Sequence, residues 1–385
     1  MKVTIAPDSF KESLSAARAA EAMARGVRCA CPQADLDLVP MADGGEGTVE
    51  ALVAATGGQF LWAEAADPLG RPIRAAFGLC AKGSLAVIEM AAASGLALLK
   101  PGERDPLRAS TRGTGMLMRA ALDAGARRIL VGIGGSATVD GGTGMAAELG
   151  ARFLGPDGRH IPDPSGGRLQ DIRSVDLSGL DPRLKSAELT VACDVTNPLV
   201  GPEGAARVYG PQKGARPAEV ERLEAGLQNL ALVIERDLGL DVRAGPGGGA
   251  AGGLGAGLAA FLGARLASGV QTVMEAARLQ QRLAGSDLVL TGEGRADAQS
   301  ACGKVPAGVA RLARQHGVPV VVLAGSIGPG YERLYDLGVA AVLSISDGPM
   351  ALQTAFERTE ALLEMAAASV LRLWLAARQV RTPHG

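Results

Sequence analysis

Five loops of this 385-residue sequence place carboxylates beside glycines or small hydroxylated residues. DSFK carries Asp8, Ser9 and Lys11; MADGGEGT carries Asp43, Gly44, Gly45 and Glu46; GGSATVDGG carries Gly134, Gly135, Ser136, Thr138 and Asp140; DVTNP carries Asp194 and Asn197; GEGRADAQS carries Glu293, Arg295, Asp297 and Ser300. Any one of them is most simply a turn or a helix cap. Five together point to a site. Glycine loops that open helices offer unpaired backbone N–H groups and a positive dipole end, which suits phosphate. Carboxylates would repel phosphate, so their presence beside such loops implies a divalent cation between them, most naturally magnesium. The chemistry this combination suggests is phosphoryl transfer, with Lys11 as a cation for a phosphate or a substrate carboxylate.

These loops need elements to hold them. VTIAP (3–7) reads as a strand leading to a helix from about Ser13, and LDLVP (36–40) as a strand leading to a helix from about Gly47. DLVLTGEG, PVVVLAGS and AAVLSIS likewise precede alanine- and leucine-rich helical segments. Strands alternating with helices at this spacing predict a parallel sheet covered on both faces, and in such sheets ligands bind beyond the carboxyl ends of the strands. The middle of the chain differs: QFLWAEA, IRAAFGL and LAVIEM, separated by DPLGRP and KG, predict an antiparallel meander. The expected fold is therefore α/β with two domains. Residues 1–56 and 286–385 form a doubly wound parallel-sheet domain, residues 57–285 an inserted mixed α/β domain with antiparallel strands, and the active site is expected in the cleft between them.

Composition removes several classes of function. With 39 basic and 40 acidic side chains, a net charge of -1 and 3% aromatic residues, the chain has neither a field nor a stacking platform for nucleic acid, and no membrane surface is expected as a partner. MKVTIAPDSF is not a secretory signal, and no apolar run of 18 residues occurs, so a cytoplasmic location is expected. Cys29, Cys31, Cys80, Cys193 and Cys302 are scattered and odd in number, without metal-ligand spacing, which predicts reduced thiols. His160, His316 and His384 are too few and too dispersed for a nucleophile triad or a zinc site. A P-loop kinase is excluded, because the GK at Gly303 and Lys304 is followed by Val305 and lacks the preceding glycine. GPGGGAAGGLGAG (245–257) has spacings like a dinucleotide fingerprint, but no strand precedes it, and a glycine-rich helix packed closely on a neighbour explains it as well.

In order along the chain, APDSFKESL, PMADGGEGTVEA, EMAAASGL, STRGTG, GIGGSATVDGGTGMA, ACDVTNPLVG, YGPQKGA and GEGRADAQS with GKVP resemble the bacterial glycerate kinase family of the type that uses ATP to phosphorylate D-glycerate. The resemblance covers nearly the whole chain. It implies a two-domain α/β fold unrelated to P-loop kinases, with a flavodoxin-like part, and 2-phosphoglycerate as product. Where that family commonly shows SATND, this chain has Val139, and its GEGR loop carries Ala296 and Cys302 where an isoleucine and a histidine are common; Glu293, Arg295, Asp297, Ser300 and Lys304 match.

On this reading ATP and D-glycerate are the ligands, Mg2+ the cofactor and a homodimer one expected assembly. Lys11 and Arg295 are expected to stabilise phosphate or substrate carboxylate, Asp43, Glu293 and Asp297 to hold magnesium, and Asp194 to orient and deprotonate the acceptor hydroxyl, with roles exchangeable among the carboxylates. Ser9, Gly44, Gly45, Gly134, Gly135, Ser136, Thr138, Asp140, Asn197, Ser300 and Lys304 complete the expected substrate and phosphate contacts, although Asp140 can equally cap the following helix. Two rival readings are a nicotinamide-dependent dehydrogenase of a small hydroxy acid, using GGGAAGGLGAG for pyrophosphate, and a non-catalytic small-acid sensor, for whose DNA-reading module no segment is left over.

Overall fold

The computed structural model describes residues 1–380, so His384 lies outside the described residues. The strands, in chain order, are β1 (Lys2–Ile5), β2 (Asp35–Leu38), β3 (Gln59–Ala66), β4 (Pro72–Cys80), β5 (Leu85–Glu89), β6 (Arg128–Gly132), β7 (Arg152–Leu154), β8 (Ser174–Asp176), β9 (Glu188–Ala192), β10 (Arg265–Ala267), β11 (Leu288–Ala296), β12 (Val320–Ile327) and β13 (Val339–Ser344). The chain divides into two compact units, one made of Met1–Asp43, Glu50–Thr56 and the residues from Val270 onward, the other of Gly44–Val49 and Gly57–Gly269. Residues 270–285 thus group with the first unit. Arg282 shows why: it pairs with Asp37 and donates to the carbonyls of Leu38 and Ala55 at 2.8 and 2.7 Å.

In the first unit β1, β2, β11, β12 and β13 form a wholly parallel sheet in the order β13-β12-β11-β1-β2. Counted within the unit this is 2-1-3-4-5, the flavodoxin-like doubly wound order, with its switch point between β1 and β11. The run VVVLA of β12 is apolar throughout because both its faces are covered. Val321 and Leu323 join the core formed with the helices Ala16–Ala30 and Leu352–Val380, while Val322 and Ala324 join that of the helix Val305–Gln315. Successive strand side chains point to opposite faces, so one strand serves both layers. The first two helices pack backbone to backbone: a Cβ on Gly26 would lie 2.1 Å from the Glu364 carbonyl oxygen.

The second unit holds a six-stranded sheet in the order β10-β9-β6-β5-β4-β3 and a short antiparallel pair, β7-β8. β3, β4 and β5 are the antiparallel meander read from the sequence, whereas β5, β6, β9 and β10 run parallel, which makes the sheet mixed. Buried Asp67 sets the first turn, DPLGRP, by accepting from the amides of Leu69 and Arg71, both at 2.9 Å.

Candidate active site

At the carboxyl edge of the first unit's sheet, beside the switch point, lies a cavity of about 960 Å³. Its wall carries the charged residues Asp8, Lys11, Glu12, Asp43, Glu293, Arg295 and Lys304 together with apolar Ile327, Ile345, Met350 and Phe356. The DSFK loop is held rigidly. Phe10 and Leu14 exchange two backbone hydrogen bonds of 2.8 Å, Phe10 is buried, and Glu12 at the tip has φ +65°. This clamp leaves Lys11 exposed at the cavity. Asp8 is buried and accepts from the Ser9 amide at 2.7 Å, which is the part Ser9's backbone plays here. Burial, reinforced by the charges of Asp43 and Glu293, pushes the Asp8 carboxyl up to about 7 in spite of that bond and of Lys11.

Glu293 projects from β11, 5% exposed, and burial raises its pKa against the pull of the Ser300 hydroxyl, Lys304 and Lys11. Its Oε2 lies 3.8 Å from Lys304 Nζ, while its Oε1 is buried without a hydrogen-bond partner. A carboxylate oxygen left unpaired in the interior costs about 1–3 kcal/mol or more and is a place where a ligand is expected. Asp297 differs: its oxygens accept from the Gln299 amide at 2.9 Å and from Arg295 Nε at 3.2 Å. Ser300, expected to contact ligand, is instead fully buried and accepts from the Asp297 amide at 3.0 Å, closing the loop on itself.

Among the described residues no group of three or more His, Cys, Asp or Glu is arranged to hold a metal ion. Asp43, Glu293 and Asp297 therefore do not make a closed protein cage. Magnesium does not require one, since it keeps waters and substrate phosphates and is bound through one or two carboxylates. The orphaned Oε1 of Glu293 fits that mode of binding.

In the second unit the ends of β6 and β9 gather Gly44, Gly45, Gly134 and Asp194. Gly44 has φ +87°, and a Cβ there would meet Ala192 Cβ at 2.6 Å and Gly269 Cα at 3.0 Å; one on Gly134 would meet Gly45 Cα at 3.3 Å. Asp194 is exposed, with Oδ1 accepting from the Gly269 amide at 2.9 Å. Asn197, expected at the ligand, is occupied with structure: it donates to the Glu203 carbonyl at 2.9 Å and accepts from the Tyr209 hydroxyl at 2.6 Å.

The loop GGSATVDGG divides into two halves. Gly134 and Gly135 are exposed and Ser136 is nearly buried, whereas Thr138, Val139 and Asp140 are fully enclosed. Asp140 corrects the expectation of a ligand contact. It accepts from the Thr111 amide and hydroxyl at 2.7 and 2.8 Å and from the amides of Gly142 and Gly144 at 3.1 and 3.3 Å, joining the starts of two helices. The second glycine pair admits GPGGGAAGGLGAG: a Cβ on Gly257 would lie 2.3 Å from the Gly141 carbonyl oxygen, and one on Gly252 (φ +69°) 1.9 Å from that of Thr138. That segment is a kinked glycine-rich helix start packed against a loop, with no strand leading into it, so the pyrophosphate reading of it falls.

Two residues escaped assignment in the sequence. Asp8 was legible as part of DSFK, but only burial beside Asp43 and Glu293 distinguishes it from a turn aspartate. Lys213, in YGPQKGA, is 2% exposed and donates at 2.7 Å both to Ser136 Oγ and to the Thr138 carbonyl. Burial pushes its ammonium down to about 7, with Asp140 pulling the other way. Flanked by Gln212 and Gly214, it carries no local sign of burial in the sequence.

Comparison with known proteins identifies the family. The model of the glycerate kinase family matches residues 3–375. The chain is 50% identical over 370 residues to the glycerate kinase of Bacillus subtilis (strain 168), covering 96% of this chain and 97% of that one. It is 49% identical over 356 residues to the glycerate 2-kinase of Escherichia coli (strain K12), covering 92% and 93%. The crystal structure of a candidate glycerate kinase 2 from Salmonella typhimurium LT2 superposes with a TM-score of 0.91 at 48% identity, over 98% of this chain and 99% of that one. A match of this extent, in sequence and in fold, means that the chain belongs to the glycerate kinase family.

Proposed function

We propose that this protein transfers the γ-phosphoryl group of ATP to the 2-hydroxyl of D-glycerate, giving 2-phosphoglycerate and ADP. The observation that carries the reading is the cavity at the first unit's sheet edge, whose wall holds the carboxylates of Asp8, Glu12, Asp43 and Glu293 and three cations and whose size suits a nucleotide better than a three-carbon acid alone. Lys11, Lys304 and Arg295 offset the charge of the phosphates, which is most of what a phosphoryl-transfer site must do besides positioning. Glu293 and Asp43 would hold magnesium; Asp297, already engaged by Arg295 and Gln299, contributes less. When bound, the ion neutralises charge developing on the transferred group.

Asp194 orients the acceptor hydroxyl and takes its proton, its side chain exposed and positioned by the Gly269 amide on Oδ1. Asp8 is the second reading for that role, favoured by its place in the cavity wall beside Lys11. The test is a magnesium-dependent ADP-release assay with ATP and D-glycerate, with L-glycerate and no acceptor as controls, and phosphorus NMR of the product. Release that requires D-glycerate and yields 2-phosphoglycerate supports the reading. Absence of acceptor-dependent ADP from folded protein refutes it.

A further inference from the structure

The exposed half of GGSATVDGG has a feature that the family resemblance does not explain. Among the described residues the backbone amides of Gly134, Gly135 and Ser136 donate no hydrogen bond, while Gly135 has φ +73°. Successive unpaired amides next to a left-handed residue form a concave nest of partial positive charge suited to an oxyanion. The carbonyl of Gly135 accepts from the Leu96 amide and the amide of Ala137 donates to Ser94, at 2.8 and 2.9 Å, so the segment is braced from behind with its N–H groups left over.

Lys213 lies beneath. It makes two hydrogen bonds, to Ser136 Oγ and the Thr138 carbonyl, and among the described residues no ion pair; Asp140, the carboxylate that acts on it, already accepts four hydrogen bonds. When protonated Lys213 only donates, so the Ser136 oxygen accepts from it and the Ser136 proton is left for another acceptor. No such acceptor is present among the described residues. A buried cation without a counter-ion is costly, and an anion bound nearby offsets that cost.

We infer that the amides of Gly134, Gly135 and Ser136 with the Ser136 hydroxyl form an oxyanion subsite for the carboxylate of the acceptor acid, and that Lys213 is its positioning residue. This rests on the proposed reaction. The commitment is to a carboxylate; a nucleotide phosphate would use the same chemistry.

The experiment compares wild type with Lys213→Met and Ser136→Ala, measuring KM for D-glycerate and KM for ATP separately, with glycerol as the acceptor that lacks the carboxylate. Loss of a charge-assisted hydrogen bond corresponds to about tenfold to a hundredfold in binding. Both variants are expected to raise KM for D-glycerate by about tenfold or more, to leave KM for ATP within about twofold, and to narrow the preference for glycerate over glycerol. Ser136→Ala carries the test alone if Lys213→Met does not fold. A rise in KM for ATP rather than glycerate assigns the subsite to phosphate and overturns the inference, as do unchanged values in both variants. Wild-type protein without glycerate-dependent ADP release overturns the reaction itself, and the inference with it.

Discussion

Replacing Lys213 by methionine should stabilise the protein in acid relative to alkali. The Lys213 amine is pushed down from 10.5 to about 7 by burial. Because the folded state holds the proton less tightly than the unfolded chain, the sign is as follows: stability is undiminished above 10.5, declines as pH falls towards 7, and changes little below that. At about 1.4 kcal/mol per pH unit the cost to the wild type is about 2 kcal/mol at pH 9 and nearly 5 kcal/mol at pH 6. The variant escapes this cost but strands the Ser136 hydroxyl and the Thr138 carbonyl, at about 1–3 kcal/mol each. That second loss does not depend on pH. The difference in stability between variant and wild type should therefore move by about 3 kcal/mol in the variant's favour between pH 9 and pH 6, whatever its absolute sign. Urea denaturation of both proteins at the two pH values, without ligands, measures it. A difference that stays constant with pH would show that the amine is not held below its ordinary range and that the buried-cation argument fails.

Further outcomes follow from the same geometry. Asp194→Asn should lower kcat by about a hundredfold or more with KM for ATP nearly unchanged, as loss of a general base does; if Asp8→Asn shows that pattern and Asp194→Asn does not, the orienting carboxylate is Asp8. Lys11→Ala should raise KM for ATP about tenfold and leave KM for D-glycerate alone, which steady-state kinetics at fixed magnesium would reveal. Gly252→Ala should cost about 3 kcal/mol, combining a left-handed alanine with a Cβ 1.9 Å from the Thr138 carbonyl oxygen, and a melting temperature equal to wild type would contradict it.

Much of the fold was legible because periodicity survives without tertiary information. The continuous apolar run of β12 and the alternation of β3 announce a strand covered on both faces and one in a meander. The loops at strand ends were legible for the same reason, since glycines, carboxylates and hydroxyls stand where apolar runs stop. What could not be read was which polar group faces a ligand. Asp140, Asn197 and Ser300 stand in the same loops and are of the polar types that bind ligands, yet their side chains hold the fold, accepting from Thr111, Tyr209 and the Asp297 amide.

The amino-acid order by itself determined the α/β class, the loops that carry the chemistry and, through motif resemblance, the family. Tertiary structure decided the rest. It placed Lys213 under Ser136, 77 residues away in sequence, left one oxygen of Glu293 unpaired, and set Gly252 against Thr138. The physical reason is that residue type and spacing govern local conformation, whereas burial and hydrogen-bond partners arise from segments distant in sequence. It is those partners that separate a group that holds the fold from one left free to bind.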